Sequence, residues 1–106
     1  MDIKFSSEGL KLYAEFSGEF DHHSAKTARE KTDMMLKLGV YNCLILDFKG
    51  LNFMDSSGIS FIMGRMKILS SLGGRVIVKV SDEKISRIIK LAGLTEYVEL
   101  EEGGRN

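Results

Sequence analysis

The sequence predicts a single α/β domain, a mixed sheet with helices packed on it, in the order β-β-α-β-α-β-α-β. Three observations predict it. The first twenty residues alternate apolar and polar side chains, as in a hairpin with one buried face. Cys43 to Phe48 and Arg75 to Val80 are short apolar or β-branched runs of the kind found inside a sheet. The segments after these strands carry helical spacing and end at glycines. Such alternation implies right-handed crossovers and a sheet that is parallel over its later strands.

In the first strand, Ile3 and Phe5 alternate with Lys4 and Ser6, and Glu8-Gly9 can turn the chain. Leu10, Leu12, Ala14 and Phe16 then share one face, and Ser17-Gly18-Glu19-Phe20 closes the second strand. Asp21 is the expected N-cap of a polar-rich helix running to about Leu38. Its inner side is Ala25, Ala28, Thr32, Met35 and Leu36, while Lys26, Arg29, Glu30, Lys31 and Asp33 face water. The run from Cys43 to Phe48 reads as a central strand covered on both faces. A second helix begins at Ser56 or Ser57 and stops at Gly73-Gly74. Ser81 is the expected cap of a third helix, whose stripe is Ile85, Ile88, Ile89 and Ala92. Glu96 to Leu100 reads as a last strand, and 101–106 as a frayed tail of the one domain, 1–106.

Composition narrows the function. The 106 residues hold 43% apolar and 28% charged side chains, an ordinary globular balance. Fifteen basic residues match fifteen acidic ones, so no net charge draws the chain to nucleic acid or an anionic membrane. The single cysteine, Cys43, excludes an intrachain disulfide and a cysteine-built zinc site, and reads as a buried, inert thiol. No signal-peptide pattern or bilayer-length apolar run occurs, so the expected location is the cytoplasm.

The second helix carries more apolar surface than one packing face needs. Ile59, Ile62, Met63, Met66 and Leu69 are expected on the sheet, with Phe61, Ile68, Leu72 and Gly64 on the opposite side. A neighbouring element could cover that second stripe, or it could stay open for docking. Gly64 favours docking, because a mid-helix glycine costs about 1 kcal/mol and often marks a close backbone approach.

The chemistry concentrates in Phe53-Met54-Asp55-Ser56-Ser57-Gly58. A serine after a strand resembles a nucleophile elbow, but the first glycine of G-x-S-x-G is missing and both histidines, His22 and His23, precede it. No phosphate-binding glycine motif is present, and the adjacent histidines lack a third metal ligand, so neither cofactor nor metal is expected. The serines could cap the helix, hold an anion or accept a phosphate. A phosphate adds about −1.5 to −2 charge and suits a helix N-terminus, so the fold would survive it while the surface changed.

These segments together resemble a known family. "FMDSSGISFIMGRMK" after "LILDFKGL", with "GEFDHHSA" upstream and "SRIIKLAGLTEYV" downstream, is similar to the STAS domains, and among them to the sporulation-type anti-sigma factor antagonists. The resemblance spans about Leu10 to Leu100. It implies a non-enzymatic switch. The unmodified protein binds an anti-sigma factor that is also a serine kinase, phosphorylation ends the binding, and a serine phosphatase reverses it. The acceptor carries over to Ser56, and partner contacts to Glu19, Asp21, His22, Asp55, Ser57, Gly58, Ser60, Phe61 and Gly64. Of the two serines, Ser57 is the one expected to help cap the helix. Ser60 departs from the glycine often found there, and relatives often continue past this length into a further helix. The alternatives are a STAS module of a stress-response or other scaffold, and a small serine hydrolase.

Overall fold

The computed structural model describes residues 1–103. Five strands form one sheet in the order β1-β2-β3-β4-β5: Asp2–Glu8, Lys11–Phe20, Cys43–Met54, Arg75–Val80 and Glu99–Glu102. β1 and β2 form the antiparallel hairpin, and every later pairing is parallel. The crossovers hold α1 (Ala25–Leu38), α2 (Ser56–Ser71) and α3 (Glu83–Leu91). Because each crossover steps to the next strand in the same direction, a constant right hand puts all three helices on one face. The main core lies there, with Leu12, Leu44, Leu46 and Val78 of the sheet buried under Ala28, Ile62, Leu69 and Ile89 of the helices.

The other face carries no helix among the described residues. Cys43, Ile45 and Ile77 are buried on it in a small cluster with Tyr13, rather than beneath a second helical layer. The cross-strand row Lys4, Glu15, Asp47, Lys79 and Glu101 runs beside that cluster. Long charged side chains there shield apolar neighbours with their stems.

Several boundaries differ from expectation for local reasons. α1 starts at Ala25 because Asp21 and Ser24 first close a separate turn. The Ser24 amide donates to Asp21 Oδ1, and the Asp21 amide donates to Ser24 Oγ, both at 3.0 Å. α3 is capped by Asp82, whose carboxylate accepts from Lys84 and Ile85 amides. Ser81 instead donates to the Lys49 carbonyl at 3.1 Å. Gly93, at φ 76°, breaks α3 as a left-handed glycine can, and Leu94–Glu96 form a 3₁₀ turn where strand was expected. β5 therefore begins at Glu99 and takes in Glu101 and Glu102 of the expected tail. Residues 104–106 of that tail lie outside the described residues.

Candidate functional site

Neighbouring strands β2 and β3 end side by side, with Phe20 paired to Met54. Each then turns into a helix, and the Asp55 amide donates to the Phe20 carbonyl at 3.2 Å. The starts of α1 and α2 are thereby brought together at the carboxyl ends of parallel strands, the edge where open α/β sheets place their sites.

Asp55 fixes the segment that holds Ser56 and Ser57. Its extended backbone makes it the N-cap of α2, and its carboxylate accepts from the Ser57 amide at 2.8 Å. The capping expected of Ser57 therefore falls to Asp55. Ser56 becomes the first helical residue, exposed, and its own amide has no acceptor among the described residues. No acidic residue occupies the first turn of α2, so the positive end of the helix dipole there is uncompensated by a side chain inside the helix.

Beneath the segment lies an aromatic cluster. Phe61 is 1% exposed and meets Phe16 edge-on at 5.6 Å and Phe20 at 5.2 Å. It was expected on the open side of α2, yet it is core and holds the first turns from below. Gly58 is also buried, and a Cβ there would collide with Met54. The first turn of α2 packs against β3 more closely than any other residue would allow.

Arg65 completes the inner face of α2. It is 6% exposed, its Nε lies 3.1 Å from Asp33 Oδ1, and its Cζ sits 5.0 Å from the Phe61 ring centroid. The Nε contact is an ion contact without good hydrogen-bond alignment, whereas Nη2 donates to Asp33 Oδ2 at 3.4 Å. Burial, opposed by the Asp33 charge, lowers the guanidinium's pKa from its ordinary value. Asp33, expected in water, is half-buried and ties α1 to α2. The true inner stripe is thus Gly58, Phe61, Ile62, Arg65 and Leu69, while Met63 turns outward at 39% exposure.

Between the helix starts is a cleft of about 530 Å³ that brings His22, Ser56, Ser57 and Ser60 together with His23, Lys26 and Arg29. Glu19 and Asp21 border an adjacent hollow that shares His23. The Asp21 carboxyl is held below its ordinary range, chiefly by the Ser24 amide. Gly64 lies farther along α2, and beyond its own helix backbone no described residue comes within 4 Å of where its Cβ would be. No element of the described chain makes the close approach that its presence suggested, so that surface is open. Phe53 and Met63 are large apolar side chains left exposed. Sequence reasoning missed them, along with Lys26 and Arg29, although the exposure of Met63 follows once Arg65 is counted as an inner residue.

Among the described residues no imidazole is hydrogen-bonded to Ser56 or Ser57, and no three His, Cys, Asp or Glu side chains gather as metal ligands. Among the described residues no helix is long and apolar enough to cross a membrane. A larger concavity, about 730 Å³, lies at the other end of α1 and α2, lined by Leu36, Val40, Tyr41, Ile68 and Leu72. Its lining is mostly apolar, with Asp33 and Lys37 as the charged members, and remote from the serines, so the smaller polar cleft is the candidate site.

The family model for the STAS domain matches residues 7–103. The chain belongs to the STAS domain family. An anti-sigma F factor antagonist of Lysinibacillus sphaericus is 34% identical over 81 residues, covering 76% of this chain and 69% of that protein. The structure of the anti-sigma factor antagonist SpoIIAA in its unphosphorylated form superposes with a TM-score of 0.84 at 25% identity, covering 98% of this STAS domain and 90% of that chain. The phosphorylated form of the Bacillus cell fate determinant SpoIIAA gives 0.76 at 25% identity, covering 98% and 93%.

Proposed function

We propose that this STAS domain is a phosphorylation-switched anti-sigma factor antagonist. The unmodified form binds an anti-sigma factor that is also a serine kinase, and so frees a sigma factor. The kinase transfers the γ-phosphoryl group of ATP to Ser56 Oγ, which loses its proton, and ADP leaves. The modified form no longer binds, and a serine phosphatase restores it by hydrolysis. The protein is the substrate of both enzymes and catalyses nothing itself; its place is the cytoplasm.

The observation that carries this reading is the position of Ser56. It is exposed, first in α2, and next to a carboxylate already committed to the helix cap. A phosphate there meets the positive end of the helix, so it leaves the fold intact while changing the charge that a partner reads. The similarity to antagonists known in both phosphorylation states supports the same reading.

The proposed contact surface is Glu19, Asp21, His22, Asp55, Ser57, Ser60 and the open face at Gly64. Gly58 and Phe61 serve it from beneath by holding the first turns of α2 in place. The test is incubation with the cognate anti-sigma kinase and ATP, followed by mass spectrometry. One phosphate on Ser56, absent in Ser56→Ala, is the expected result; phosphate found only on other residues would refute the assignment.

A further inference from the structure

The cleft at Ser56 has a charge pattern that the switch does not require. One wall carries the hydroxyls of Ser56, Ser57 and Ser60. The opposite wall, from the start of α1, carries His22, His23, Lys26 and Arg29. Lys26 and Arg29 lie three residues apart on one helix face, and neither forms an ion pair among the described residues. Like charges at that spacing repel. Arg29 even acts unfavourably on Arg65, one of the two residues that clamp the helices together.

No carboxylate near the cleft is ion-paired with this wall: on α1 itself Asp33 is paired with Arg65, and Glu30, four residues after Lys26, forms no ion pair among the described residues. Asp55 accepts from the Ser57 amide and Asp21 from the Ser24 amide, while Glu19 borders the neighbouring hollow. A basic wall without ion-pair partners, facing three hydroxyls, is complementary to an anion borne on one of them.

We propose that this wall receives, in cis, the phosphate of phosphorylated Ser56. The phosphate oxygens accept from the Lys26 ammonium and the Arg29 guanidinium, with the imidazoles of His22 and His23 at the rim. Asp55, on the strand side, repels the new charge toward α1. The modified side chain then lies across the cleft, and modification both adds an anion and covers a basic surface that the unmodified form leaves open. This rests on the reading of Ser56 as the acceptor.

The test installs phosphoserine at position 56 during translation, so that it needs no kinase, and follows the second ionisation of the phosphate by phosphorus NMR. An isolated phosphoserine ionises near pH 6, and opposite charge within a few ångströms lowers such a value by about one unit or more. The expected midpoint lies clearly below that of an isolated phosphoserine, and returns toward it in the phosphorylated Lys26→Ala, Arg29→Ala variant. Both substituted residues are exposed, so the variant keeps the fold, and its amide spectrum checks this. Equal midpoints in the two phosphorylated proteins would overturn the proposal. Absence of Ser56 phosphorylation by the kinase would refute the switch and leave this titration unaffected, so the two failures are distinguishable.

Discussion

Asp55 does two things with one side chain: it closes the α2 cap and it sets the electrostatic surroundings of the next residue, Ser56. Losing the cap costs about 1 kcal/mol. Asp55→Ala is therefore expected to lower the urea midpoint while leaving the fold intact. A larger loss is expected at the α1–α2 clamp. Asp33→Ala leaves the Arg65 guanidinium buried with no counter-charge, a change that costs 3–5 kcal/mol for fully buried pairs. Asp33 is one-third exposed, so the expected cost is about 2 kcal/mol. Arg65→Met keeps the packing on Phe61 and removes the buried charge, so equilibrium unfolding should show it less damaging than Asp33→Ala.

At the scale of elements, α2 was legible in extent and misread in orientation. Its start, its end and the exposed position of Ser56 follow from the turn chemistry of Asp55-Ser56-Ser57-Gly58 and from Gly73-Gly74. Its inner face did not, because hydrophobic periodicity assigns arginine outward and ignores glycine. Here Asp33 neutralises Arg65, and Gly58 is needed for contact with Met54, so the stripe rotates and carries Phe61 inward. The same rotation makes Gly64 a test of docking. Gly64→Ala meets nothing among the described residues and should raise stability by about 0.5–1 kcal/mol through helix propensity. If a partner's backbone approaches there, the variant will be more stable in urea and bind its partner more weakly. Ser56→Asp should likewise unfold cooperatively near the unmodified midpoint while binding less well, since a carboxylate suits the helix start.

For the whole molecule, the order of strands and helices was readable because each element carries its own period and its own stop signal. The two faces of the sheet were not distinguishable. Cys43 and Ile45 look like residues under a helical layer, yet neighbouring side chains on an otherwise helix-free face bury them. The pairing of charges across elements was equally hidden. Glu102 joins β5 to α3 through Lys90, and that hydrogen bond holds its carboxyl below the ordinary 4.5. Asp21 lies below its ordinary 3.8 through the Ser24 amide. In both cases the unfolded chain takes up the proton first as pH falls. The stabilisation is therefore full above these ordinary values and is lost as pH drops through the lower folded ones. Thermal unfolding should show a midpoint that falls between pH 5 and pH 3, with a shallower fall in Glu102→Gln.

The proposed switch is one surface with two charge states. Calorimetric titration of the cognate anti-sigma kinase with unmodified protein, and separately with protein carrying phosphate on Ser56, measures that directly. The predicted result is a loss of at least about tenfold in affinity on phosphorylation, equivalent to 1.4 kcal/mol, with both forms folded by circular dichroism. Equal affinity for the two folded forms would contradict it.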